Sequence, residues 1–201
     1  MIRVELRPEY QDFDQDVRKP GRAFLNLNPH PNNKEFRKHE YWTQSRTQLW
    51  QAYNKICAYT SFHLPTGGSL DHFAPKSIYP QLAYEWSNFR LCLDRVNNWK
   101  KNSQIAVDPC FMRSDWLFLS LPDCIVKVSS HATPIVRARL KQTIDLLRLN
   151  KDETFVDLRY SLVSNYVHKL FDLDYLKLYY PFIGNEVERQ GGRAALVHLF
   201  P

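Results

Sequence analysis

L-D-H-F-A-P-K-S-I-Y-P (residues 70–80) and W-S-N-F-R-L-C-L-D-R-V-N-N-W-K-K-N (residues 86–102) decide how this chain is read. Asp71 and His72 are adjacent, Asn88 follows, and Asn97 stands about one helical turn before Lys100 and Lys101. These residue types suit phosphodiester hydrolysis at a single metal ion. Such a reaction needs a base to activate water, charge to stabilise the phosphoryl group, and help for the leaving oxygen. A hard ion such as Mg²⁺ or Mn²⁺ supplies the last two and takes oxygen ligands. A neutral imidazole takes the proton. Asp71 and the amide oxygen of Asn97 are therefore candidate metal ligands, and His72 is the candidate base.

Working outward, Gly67-Gly68 marks a sharp reversal before a short strand over 69–73, which carries Asp71 and His72. Neighbours on a strand point to opposite faces, so both serve one site only where the backbone bends or the ligands share an edge. Pro75 and Pro80 bracket an irregular loop. Ser87 or Asn88 then caps a predicted helix running to about Lys101, with Phe89, Leu93, Val96 and Lys100 along one side. Upstream, residues 7–35 are rich in Pro, Asn, Asp and Lys, with Pro20-Gly21 as a turn signal, and read as an extended arm. The spacing of Phe36, Trp42, Leu49, Trp50, Tyr53 and Ile56 predicts a helix over 35–56. Downstream, W-L-F-L-S-L, Pro122-Asp123 and C-I-V-K-V predict a hairpin. Helices are expected over 134–149, over 152–170 and from Asp174 onward. No linker divides the chain, so residues 1–201 are read as one domain.

The 201 residues suffice for a well-buried core, and 44% hydrophobic with 24% charged residues is an ordinary globular balance. The net charge of +6 suits an acidic partner such as nucleic acid without specifying one. No apolar run is long enough to span a membrane, and the first residues lack a signal-peptide stretch, so a cytoplasmic protein is expected. Cys57, Cys92, Cys110 and Cys124 form no C-x-x-C pair and read as reduced, buried thiols.

Composition and spacing alone leave both a functional and a structural reading open. One Asp-His dipeptide arises readily by chance, Asn88 is equally a helix cap, and Asn97 equally a surface amide. Lys76, Arg90, Lys100 and Lys101 suit a phosphate-binding face or a merely solvated one.

The ordered string D-H-F-A-P-K-S-x-Y-P-x-L-A-Y-E-W-S-N-x-x-L-x-x-x-R-x-N-N-x-K (71–100) resembles the HNH, or His-Me finger, endonucleases. It is similar to the branch that includes PtuB-type subunits of Septu and retron-associated anti-phage systems. Y-x-K-I-C-A-Y before the motif, and T-I-D-L-L-R-L-N with Arg159 after it, are weaker echoes. The resemblance implies an α+β fold with a ββα-metal core over 56–102, flanked by mostly helical extensions and the hairpin. It implies His72 as general base and Asp71 as first metal ligand. Asn88 would hold the loop and orient the base, and Asn97 would be the second metal ligand. Lys76, Arg90, Lys100 and Lys101 would face nucleic acid, DNA or RNA. It also implies one Mg²⁺ or Mn²⁺ ion and an ATPase partner of the PtuA type. Many relatives carry two C-x-x-C pairs around a structural zinc. Here they read Cys57-Ala-Tyr-Thr60 and Leu93-Asp-Arg-Val96, and His63 is one replacement donor where three are needed, so no structural zinc is expected. The alternative is a non-catalytic nucleic-acid-binding or assembly subunit on a degenerate HNH fold.

Overall fold

The computed structural model describes residues 1–104 and 106–200, and the chain is α+β, with short antiparallel strand pairs among helices. It divides into two compact units, each assembled from interleaved segments. Glu5–Cys57 and Leu64–Gln104 form one; Met1–Val4, Ala58–His63 and Ile105–Pro201 form the other. Because the chain passes between them more than once, no single linker marks the division. Among the described residues no helix is long and apolar enough to cross a membrane.

In the first unit the expected extended arm is instead largely helical. One wide turn, Asp14–Arg18, leads into α1 (Lys19–Leu27), and α2 (Asn33–Phe36) follows. Phe13, Val17 and Phe24 are buried at i, i+4 and i+11, a helical stripe hidden among polar residues. Phe13 packs edge-on against Trp86 and Phe89, with ring centroids 5.5 and 5.9 Å away. Pro20 sits in the first turn of α1, where its missing N–H leaves no bond unmade. Gly21 is a packing residue rather than a turn, since a Cβ there would lie 2.1 Å from the Tyr84 ring.

The helix expected over 35–56 is interrupted. The chain leaves α2, passes through a 3₁₀ turn at Tyr41–Ser45, and enters α3 (Arg46–Ala52). The break lets Phe36 and Trp42 both reach Tyr84, at 6.5 and 5.4 Å, while the Tyr84 hydroxyl donates to His39 O at 2.8 Å. Gly67 then takes φ +103° at the predicted reversal.

The strand β1 (Ser69–His72) pairs antiparallel with β2 (Phe89–Cys92), placing Asp71 opposite Arg90 and His72 opposite Phe89. Next comes α4 (Asp94–Lys100). The helix predicted from 88 is thus strand in its first half. Phe89–Cys92 is buried throughout and shows no alternation, so its apolar spacing imitated a helical stripe. The Ser69 hydroxyl donates to the Asp94 carboxylate and ties the start of β1 to α4.

In the second unit the predicted hairpin is β3 (Leu117–Ser120) with β4 (Ile125–Val128). The helices are α5 (Pro134–Leu146), α6 (Glu153–Val167), α7 (Leu173–Tyr179), α8 (Pro181–Arg189) and α9 (Gly192–Leu196). The single last helix expected from Asp174 is broken at Pro181 and again at Gly191. A side chain of α8 and one from its C-cap close the outer edge of β3: Glu186 accepts from Leu119 N at 2.9 Å, and Gln190 donates to Leu119 O at 2.8 Å. Arg159 is buried and donates to Cys124 O and Leu149 O, both at 2.8 Å, which makes it a structural strut of this unit.

A candidate active site in the cleft beside β1

A cleft of about 650 Å³ opens beside β1 in the first unit, and its lining includes Asp71, His72, Lys76, Asn97 and Lys101. Five residues singled out in the sequence thus meet at one surface. Asp71 and His72 both line it although they are neighbours on a strand, and they occupy the last two positions of β1 before the loop.

His72 is only 8% exposed. Its ring meets Trp42 edge-on at 4.8 Å and Phe89 at 5.3 Å. Nε2 lies 2.8 Å from Ala83 O, and because a carbonyl only accepts, Nε2 carries the proton. Nδ1 is then the ring's proton acceptor. The imidazolium is strongly disfavoured, with the pKa held down to about 3 by burial and then by the positive charge of Lys76, against the pull of the Ala83 hydrogen bond.

Asn88 is not a helix cap. It is 5% exposed, and its Oδ1 accepts from Ala74 N at 2.8 Å while Nδ2 donates to Ala74 O and Leu82 O, each at 3.0 Å. Its own carbonyl accepts from Phe73 N at 2.9 Å. One amide therefore pins both ends of the loop that presents Ala83 to His72.

Two of the cations expected on a phosphate-binding face lie inside the protein. Arg90 is 1% exposed and donates through Nη1 to Ser87 O and Phe89 O, both at 2.8 Å. Lys100 has a fully covered side chain, and its Nζ donates to Asp71 Oδ1 at 3.1 Å, His72 O at 3.0 Å and Phe73 O at 3.1 Å. Three N–H groups meet three oxygens, so no donor is left for a phosphate. Both residues correct the sequence reading. A charged residue reads as exposed in a sequence, and only the β1–β2 register and the position of α4 show otherwise.

Lys76 and Lys101 do line the cleft. The Lys76 ammonium lies 5.2 Å from the Trp42 ring centroid, and burial lowers its pKa against the raising effect of Glu40 and Asp71. The N-terminal segments add cations that sequence reasoning left outside the site, namely Arg37 and Arg46. Their only signal was lying off the apolar face of the predicted 35–56 helix.

Asp71 and Asn97 offer oxygen donors on the same cleft, which fits a hard divalent ion whose remaining ligands come from phosphate and water. Among the described residues no group of three or more His, Cys, Asp or Glu side chains gathers to hold a metal. Burial, with the nearby Asp71 carboxylate, pushes the Cys92 thiol well above its ordinary range.

The low pKa of His72 has a stability consequence. Its unfolded pKa is near 6.5 and its folded value about 3, so between them the unfolded chain binds the extra proton. The contribution is fully present above about pH 6.5 and is lost as pH falls toward 3, by up to about 1.4 kcal/mol per pH unit. Urea unfolding of wild type and His72→Gln at pH 7, 6, 5 and 4.5 checks this. The wild type is expected to lose stability faster than the variant on acidification; parallel curves would refute a buried neutral imidazole.

Comparison of the chain with protein-family models and with curated protein sequences gives no match.

Proposed function

We propose that this chain is a metal-dependent HNH endonuclease that hydrolyses phosphodiester bonds of nucleic acid. The observation that carries the reading is the cleft that brings Asp71, His72, Lys76 and Asn97 together, with His72 Nδ1 kept as acceptor by the Ala83 carbonyl. The order β1, pinned loop, β2, α4 supports a ββα-metal arrangement as the resemblance implies.

In this reading Arg37, Arg46, Lys76 and Lys101 draw the phosphodiester into the cleft. His72 accepts the proton of the attacking water at Nδ1, and Nε2–H stays on Ala83 O, fixing tautomer and ring orientation. Trp42 and Phe89 wall the imidazole from bulk water. Asn88 is a positioning residue that keeps Ala83 in place through Leu82 and Ala74. A divalent ion at Asp71 and Asn97 would neutralise phosphoryl charge and stabilise the leaving oxygen. Action as the effector of an anti-phage system, with a PtuA-type ATPase partner, rests on the resemblance alone. A cytoplasmic setting accords with four buried free cysteines.

One observation favours the second reading, a non-catalytic nucleic-acid-binding subunit: the Asp71 carboxylate already holds an ammonium. Nicking of supercoiled plasmid, with a labelled RNA pool in parallel, separates the two. Wild type is compared with Mg²⁺, Mn²⁺ or EDTA, with and without a co-expressed ATPase. Metal-dependent cutting is expected. Retention of nucleic acid with no cutting in any condition would move the assignment to the second reading.

A further inference from the structure

The oxygen cage around Lys100 has a consequence for how the cleft is loaded. Lys100 reaches from α4 to three successive residues at and just past the end of β1: the Asp71 carboxylate and the carbonyls of His72 and Phe73. Its side chain is 0% exposed and that of Asp71 is 3% exposed, so water hardly screens the pair. All three ammonium protons are engaged by these oxygens. Lys100 is therefore a fixed internal counter-ion. The Asp71 charge that would attract a dication is already balanced at 3.1 Å.

The remaining cleft wall adds no negative excess. Its charged lining is Arg37, Arg46, Lys76 and Lys101 against Glu40 and Asp71. With Lys100 behind Asp71, the local field repels a free dication and attracts a polyanion. Carboxylates on the lining are those of Asp71 and Glu40, with amide oxygens at Asn97 and other asparagines, and among the described residues no group of three or more His, Cys, Asp or Glu gathers to hold a metal. A phosphodiester entering the cleft brings both missing elements, namely oxygen ligands and negative charge.

We propose that Lys100 makes divalent-ion binding at Asp71 conditional on a bound phosphodiester, so that the cleft takes the nucleic-acid backbone first. This rests on the nuclease reading above. By linkage, the ion tightens nucleic acid by the same factor that nucleic acid tightens the ion.

The test uses Mn²⁺ as probe, with free Mn²⁺ read by electron paramagnetic resonance in the His72→Gln background to suppress turnover. Titrations are run alone, and with a short single-stranded DNA, its duplex, or an RNA of the same sequence. Oligonucleotide is expected to bind in EDTA. Mn²⁺ alone is expected to bind only in the millimolar range, and at least about ten-fold tighter with oligonucleotide present. Lys100→Gln, whose amide still donates to a backbone carbonyl, is expected to tighten Mn²⁺ alone by about ten-fold by removing the like charge. Mn²⁺ affinity unchanged by oligonucleotide overturns the proposal, and this comparison needs no change at position 100. If a folded Lys100→Gln protein binds Mn²⁺ no tighter than its parent, the role of Lys100 is overturned. Failure of any oligonucleotide to bind in any condition overturns both this proposal and the nuclease reading, whereas tight binding of Mn²⁺ alone overturns only the linkage.

Discussion

Replacing His72 with glutamine is expected to lower metal-dependent cutting by about 10²- to 10⁴-fold, the usual contribution of a positioned general base. Glutamine is the informative choice. His72 is buried between Trp42 and Phe89 and donates to Ala83 O, so alanine would leave a void and an unpaired carbonyl and cost roughly 2–4 kcal/mol of stability. A loss of activity in His72→Ala would then have two causes. The glutamine amide fills most of the space and can still donate to Ala83 O, but it has no basic nitrogen. Nicking rates, thermal melts and oligonucleotide affinity should be measured on the same preparation. A variant that melts near wild type, binds nucleic acid and no longer cuts assigns the base. One that retains cutting within ten-fold would remove His72 from that role.

Asn88→Ala carries the largest expected stability effect. The amide makes three side-chain hydrogen bonds, to Ala74 N, Ala74 O and Leu82 O, at a site 5% exposed. Truncation leaves those backbone groups without their partner, and each unsatisfied buried group costs about 1–3 kcal/mol. A total of roughly 3–5 kcal/mol is expected, a large share of ordinary domain stability. Asn88→Asp should be no milder, because a carboxylate oxygen would face the two carbonyls that the amide now feeds. Urea unfolding gives the global cost, and amide exchange over residues 74–83 shows whether the loop opens first. A cost below about 1 kcal/mol would mean that the pinned loop holds itself.

The legible parts of this chain were those with a strong local signal. Asp71 and His72 fell on a strand because Gly67-Gly68 precedes it and Pro75 ends it. The 117–128 hairpin and the α5 and α6 helices followed from apolar runs and a turn, and the structure adds the caps Thr133 and Asp152. Illegible parts were set by tertiary packing. β2 has no alternation because both its faces are covered, so Phe89 and Leu93 mimicked helical spacing. Gly21 looked like a turn because close approach by a distant Tyr84 ring leaves no local trace. Arg90 and Lys100 looked like surface cations because their acceptors include backbone carbonyls, which no sequence pattern displays. The candidate site was therefore half readable: its chemistry at Asp71 and His72 showed, while its inner scaffolding and its far cationic wall did not.

The seat of Phe13 bears on how the protein comes into being. Its ring contacts Trp86 and Phe89, residues made long after it. Until synthesis has passed residue 89, the N-terminal turn has no aromatic bed, and the His72 imidazole lacks its Phe89 contact. A chain that stops between residues 72 and 88 would thus carry Asp71 and His72 without the Asn88 amide that pins the loop beside them. Assembly of a competent site waits on the ribosome having delivered the last residues of α4.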